Sequence, residues 1–162
     1  MFTKNQIMKK LLSGAVLFLF VMSATAQFKV GAGLNLGIPV QNLSGSSIAA
    51  GIDLMGHYAL SKEAAITGDI GYTALFAKND GKTTNIIPVR VGIRYYPSSN
   101  FFLGGKIGAG FLSGNGSTTT TAYSLGAGLK IDKQLEIGAS YDAYSKEGTI
   151  GLINFRLGYF FQ

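Results

Sequence analysis

Along most of the chain, apolar residues return at every second position. In residues 87–96, IPVRVGIRYY, the side chains of Ile87, Val89, Val91, Ile93 and Tyr95 alternate with a set that includes Arg90 and Arg94. Period two is the mark of a β-strand, whose successive side chains leave on opposite faces. It predicts eight strands, at about residues 28–38, 48–60, 64–76, 86–96, 101–112, 122–131, 135–144 and 149–161. The joints are rich in Ser, Gly, Asn and Asp, as turns require. SKE (61–63), PSSN (97–100) and DKQ (132–134) are short, and they alternate with the longer PVQNLSGSS (39–47), AKNDGKTTN (77–85) and SGNGSTTTT (113–121), and with SKEG (145–148). None has the length of a second domain.

Sorting each strand into its two faces separates the chemistry. One face carries Phe28, Val30, Leu34, Ile52, Leu54, Ile70, Val91, Leu103, Ile107, Leu125, Ile137, Leu157 and their neighbours in step, with no charged residue. The other takes every strand charge: Lys29, Asp53, Asp69, Arg90, Arg94, Lys106, Lys130, Glu136, Asp142 and Arg156. Ten charges falling on one parity by chance has odds of about one in a thousand, since a strand changes face at every residue.

Alternation alone does not say which face is inside. A soluble lipocalin-like barrel turns its apolar face inward, whereas a transmembrane barrel does the reverse. Three features favour the second. Thirteen glycines share the charged face (31, 33, 37, 51, 71, 92, 104, 108, 110, 126, 128, 138 and 158), and a narrow eight-stranded lumen needs small residues where an exposed surface does not. The apolar-face aromatics, all but the mid-strand Phe155, fall into two belts. Phe28, Tyr58, Tyr95, Phe101, Tyr159 and Phe161 lie near the chain termini's side, and Tyr72, Phe76, Phe111, Tyr123 and Tyr141 lie toward the opposite side, as in the aromatic girdles of membrane barrels. Short turns on one side and longer loops on the other match periplasmic and extracellular ends, which puts both termini in the periplasm. The fold expected is an all-β, eight-stranded antiparallel up-and-down transmembrane barrel.

The arginines then face the lumen and need carboxylate partners, because an unpaired buried charge is costly. Asp69 with Arg90, mid-strand on neighbouring strands, is one expected pair. Lys130 with Glu136, opposed through the DKQ turn, is another.

The first 26 residues stand apart. Lys4, Lys9 and Lys10 precede an apolar run from Leu11 to Met22, followed by small residues at Ala24 and Ala26. This is the form of a secretory signal peptide cleaved after Ala26; the run is short of the roughly 20 residues a spanning helix needs. The barrel then occupies 27–162. Three of the 14 basic residues leave with the leader, so 11 face 8 acidic ones and the net charge falls from +6 to +3, too weak a balance to suggest nucleic acid. There is no cysteine and hence no disulfide framework.

FKVGAGLNLGI, IIPVRVGIRYYP, FFLGGKIGAGF and the closing INFRLGYFF resemble the small outer-membrane β-barrel domain family abundant in Bacteroidota, similar in shape to OmpA/OmpX barrels and including PorT-like proteins. The resemblance spans the whole chain after the leader and is specific for fold rather than activity. Such barrels usually end on an aromatic that resembles an assembly signal, which implies the barrel assembly machinery as a partner during insertion. Here Phe161 is followed by Gln162, shifting that signal by one. Pro88, which cannot donate to a ladder, is expected at a bulge or a rim.

No catalytic, cofactor or metal site is expected. His57 is the only histidine, and Asp53, on the same face, lies about 13 Å along the strand from it; one imidazole does not make a metal site. Ser124, Ser140 and Asp142 face inward with no base spaced to activate a serine. GAG at 31–33, 108–110 and 126–128 opens no helix and is no phosphate loop. NGSTTTT (115–121) has the composition of a solvated tip more than of a recognition or adhesion loop, and Lys78, Lys82 and Lys146 on the outer loops are within reach of lipopolysaccharide, although such lysines are common in any hydrophilic tip. Tyr96, Phe102, Tyr144 and Phe160 block the lumen, and porins need about twice as many strands. The function expected is therefore a monomeric structural or surface-interaction protein embedded in outer-membrane lipid and lipopolysaccharide. A narrow solute channel, a subunit of an envelope or secretion complex, and a lipid-acting barrel enzyme stand as alternatives.

Overall fold

The computed structural model describes residues 27–41, 46–77, 83–114 and 116–161. The expected leader, Lys78, Lys82 and Gln162 lie outside them. Eight strands run in order: β1 (Phe28–Gln41), β2 (Ser46–Ala59), β3 (Ala64–Ala77), β4 (Thr84–Tyr95), β5 (Phe101–Ser113), β6 (Ser117–Lys130), β7 (Leu135–Ser145) and β8 (Thr149–Phe161). Each pairs antiparallel with its sequence neighbours, and β1 pairs with β8 to close a barrel. Closure leaves no free sheet edge, so every strand finds partners for its backbone on both sides.

The strands run further than the periodicity predicts at the end away from the termini. β1 continues through Pro39 to Gln41, β2 begins at Ser46, β4 begins at Thr84, and β6 begins at Ser117. Thr118–Thr121 are therefore ladder residues, paired with Ala109 through Leu112 of β5, and not a solvated tip. Threonine suits a strand, and its β-branch outweighs the loop-like look of the run. The reach joining β5 to β6 shrinks to three residues, 114–116, with Gly116 at φ +144° where an L side chain would be strained. The expected contrast between short turns and long loops is thus absent as a contrast in length. It reappears as overhang. Ser117, Thr119 and Thr121 stand exposed beyond Tyr123, whereas Phe28, Tyr95, Phe101 and Phe161 sit at the very ends of their strands.

Among the described residues two register shifts occur, between Pro39 and Gln41 against β8 and between Ser46 and Ile48 against β3, both at the far end. Pro88 sits at neither a bulge nor a rim. It is buried in the barrel and pairs in register with Gly110 of β5. On its other side the ladder lapses from Ile70↔Val89 to Thr73↔Ile86 without changing register. The missing N–H coincides with two lost rungs.

Exposure settles which face looks out. Val91, Ile93, Ile107 and Leu125 are 62%, 69%, 62% and 68% exposed. Arg90, Arg94, Asp53, Asp69, Glu136 and Asp142 are buried. The barrel is inside out relative to a soluble fold.

Candidate functional site

Three layers fill the lumen. The layer farthest from the termini is apolar. Leu75, Ile86, Leu112, Tyr144 and Leu152 form one buried cluster with Ala49 and Ala122, against which Ile150 packs. Alternation in the sequence placed Tyr144 in the lumen but did not single out the aliphatic members. Their signal was present: at the far end of β3, β4, β5 and β8 the charged parity itself turns apolar, at Leu75, Ile86, Leu112 and Leu152.

The middle layer is ionic. Arg90 donates from Nε to Asp69 at 2.9 Å, from Nη2 to the same carboxylate at 3.3 Å, and from Nη1 to Asp142 at 3.0 Å. Lys106 also donates to Asp69. Asp142 further accepts from Ser124 (2.6 Å), Ser140 (2.9 Å) and Asn154 (2.8 Å). A second knot joins Arg94 to Glu136 in a two-pronged contact at 2.6 and 3.2 Å, and Arg156 to Glu136 at 3.4 Å and to Asp53 at 2.7 and 3.2 Å. Asn35 completes it with a 2.6 Å bond to Asp53. Four cations, Arg90, Arg94, Lys106 and Arg156, thus meet four carboxylates, Asp53, Asp69, Glu136 and Asp142. The layer is neutral and draws at least one residue from every strand. Glycine makes the space: a Cβ on Gly33 would lie 2.7 Å from Arg156 Nε and 2.9 Å from Asp53 Oδ1. A cavity of about 60 Å³ lies among Arg94, Lys106, Glu136 and Arg156.

Of the expected pairs, the structure brings Asp69 and Arg90 together. It sets Lys130 opposite Glu136 in register, but the carboxylate is held by Arg94 and Arg156 instead. Two guanidinium forks converging from β4 and β8 outcompete one ammonium for a planar carboxylate. The Lys130 ammonium lies 3.8 Å from the Tyr96 ring centroid. Lys29, also expected in the network, is exposed at the mouth and makes no ion pair among the described residues.

The third layer is this mouth, beside the turns. His57 is buried against Phe160, ring centroids 4.6 Å apart, and Arg94 lies 3.8 Å over the Phe102 ring. Among the described residues, no three of His, Cys, Asp and Glu are grouped to hold a metal ion.

The outer surface carries two levels of polar anchorage around an aliphatic band. At the turn end, Tyr58 donates to Gln27 (3.1 Å) and Gln134 donates to Tyr159 (3.0 Å). At the far end, Tyr72 donates to Asn85 (2.9 Å) and Tyr141 to Gln41 (3.0 Å). Each ring keeps an apolar body and a polar handle, the arrangement favoured at a lipid–water boundary. Phe76, Tyr95, Phe111, Tyr123 and Phe161 are exposed with them, and Phe28 and Phe101 are half-buried.

A family model for the outer membrane protein β-barrel domain matches residues 11–161. Among solved structures, the chain is similar to Ail, the attachment invasion locus protein of Yersinia pestis, with 19% identity, 83% of this chain and 97% of that one covered, and a TM-score of 0.63. It is similar to Neisserial surface protein A, with 12% identity, 83% and 97% covered, and a TM-score of 0.59. It is also similar to the N-terminal β-barrel domain of Pseudomonas aeruginosa OprF, with 12% identity, 82% and 97% covered, and a TM-score of 0.57. At these identities the likeness is one of fold. No curated protein matches the chain. A closed eight-stranded barrel with an apolar exterior and a sealed ionic interior, matched over nearly its whole length by that model, belongs to the outer membrane protein β-barrel domain family.

Proposed function

We propose that the chain is a non-catalytic structural or surface-interaction barrel of the outer membrane, with its termini and turn end in the periplasm and its strand overhang outside the cell. The observation that carries this reading is the filled lumen. An apolar plug above a neutral ionic layer opposes passage of solutes, and the acidic groups of that layer are committed to arginine, lysine, serine or asparagine partners. Committed carboxylates are poorly placed as acids or bases. The overhang supports the orientation: β6 carries exposed Ser117, Thr119 and Thr121 past the upper belt, a polar collar suited to the carbohydrate side of the membrane. Lipid and lipopolysaccharide are the surroundings this surface fits, as a monomer inserted by the barrel assembly machinery.

The chain has no cysteine, so single replacements report topology. With a membrane-impermeant maleimide, Thr119→Cys should label on intact cells and Lys133→Cys only after the outer membrane is opened. The purified barrel in planar bilayers should give no conductance steps. Labelling of Lys133→Cys on intact cells would reverse the orientation, and steady conductance would favour a narrow channel.

A further inference from the structure

The ionic layer balances itself, and this leaves the mouth unbalanced. A cavity of about 520 Å³ opens at the turn end. Lys29 and Lys130 enter it from β1 and β6, Lys62 and Lys133 stand on the turns around it, and His57 and Phe160 belong to its lining. Of the two acids in its lining, Glu136 is taken up by the ionic layer, and Asp132 alone offsets part of the charge of four lysines. Glu136 is held by Arg94 and Arg156, and Asp132 accepts the backbone N–H groups of Gln134 and Leu135 at 2.6 and 2.7 Å. None of the four lysines makes an ion pair among the described residues. Like charges around one concave, partly walled space focus a positive potential into it. A polyvalent anion seated there would relieve their mutual repulsion.

The residue type narrows the chemistry. In this barrel, guanidinium forks hold most of the carboxylates, whereas the four cations at the mouth are all ammonium groups. An ammonium binds phosphate as a point charge, without the planar fork by which a guanidinium grips carboxylates. The hydroxyl and amide side chains of Ser99, Asn100 and Gln134 also line the space and add neutral donors.

We propose that the turn-end mouth is a binding site for a phosphate-bearing anion, held by Lys29, Lys62, Lys130 and Lys133. The phosphate belongs either to a free compound or to a lipid headgroup of the adjoining leaflet, two sources with one chemistry. The compartment that supplies it depends on the membrane orientation proposed for the barrel. Binding in detergent micelles, where both ends are open, does not depend on that orientation, so the two readings fail separately.

The test is calorimetric titration of inorganic pyrophosphate into the full folded chain in zwitterionic detergent at fixed ionic strength, because exposed charge contacts are screened by salt. Saturable binding is expected. Each lysine at the mouth contributes about threefold, so Lys29→Gln/Lys130→Gln should bind about tenfold more weakly, while Lys146→Gln at the opposite end should bind as the parent does. Heat-modifiable gel mobility certifies folding. Should the double variant fail to fold, Lys62→Gln/Lys133→Gln, on exposed turns, takes its place with the same expectation. Repeating the titration in nanodiscs with and without phosphatidylglycerol separates the sources: weaker pyrophosphate binding with the anionic lipid assigns the site to headgroups, and unchanged binding assigns it to a free compound. No saturable binding to the parent, or binding that loses as much on Lys146→Gln as on the mouth variants, overturns the proposal.

Discussion

Replacing Glu136 by glutamine removes one charge and almost no volume, so the cost is set by the groups that hold the carboxylate. Its side chain is 3% exposed and takes both prongs of Arg94 and one of Arg156. Arg156 keeps Asp53 at 2.7 Å. Arg94 has no other acid among the described ion pairs and is itself buried. The substitution therefore strands one guanidinium. Stranding a buried charge costs about 3–5 kcal/mol. The neighbouring 60 Å³ cavity has room for a few waters to soften the loss, which points to the lower figure, about 3 kcal/mol. With a urea slope of about 2 kcal/mol per M, the unfolding midpoint should fall by about 1.5 M. Tyrosine fluorescence or gel mobility of the barrel in lipid vesicles tracks the transition. Arg94→Leu/Glu136→Leu, which deletes both charges, should recover most of the loss, since a buried pair exchanged for apolar residues is often neutral. A Glu136→Gln barrel within about 0.5 kcal/mol of the parent, the usual size of an effect at an uninvolved surface site, would refute the reasoning, and so would a double variant as weak as the single one.

Other perturbations probe the remaining layers. Tyr144→Ala, at a side chain 2% exposed, should cost about 3–5 kcal/mol by the cavity it leaves, yet bilayer conductance should stay at background because the ionic layer lies beneath; open steps would show that the apolar plug alone seals the barrel. Val91→Arg on the exposed aliphatic band should cost about 2–4 kcal/mol in lipid, and no change in vesicle unfolding would deny that this face meets hydrocarbon. Asp132, outside the membrane, has its carboxyl held below the usual carboxylate range by the N–H groups of Gln134 and Leu135. Its stabilisation is therefore full above the unfolded value and lost as pH falls through the lower folded one. The gap in urea midpoint between parent and Asp132→Asn should be constant near neutral pH and close below about pH 4, and a gap that widens in acid would contradict that sign.

Period two was enough to read eight strands, their order and the face each side chain takes, because a pleated strand imposes that alternation whatever surrounds it. Strand ends were harder. The STTTT run has turn-like composition but β-branched side chains, and only pairing with β5 decides in favour of the ladder. Asp69 and Arg90 were legible as partners because they are cross-strand neighbours. The choice of Arg94 over Lys130 by Glu136 was not, because it depends on which side chains reach across the lumen from β4 and β8, and sequence separation carries no record of that distance. Pro88 misled for a similar reason: its missing donor falls where the ladder to the neighbouring strand lapses in mid-barrel, which local sequence does not record.

The bond between Asp53 and Arg156 joins residues 103 positions apart, one near the beginning of the sheet and one in its last strand. An open ribbon of seven strands would leave Asp53 to the Asn35 amide alone, without its counter-ion. Charge balance inside arrives only with the final hairpin. The electroneutrality of the lumen is thereby tied to closure of the seam between the first strand and the last.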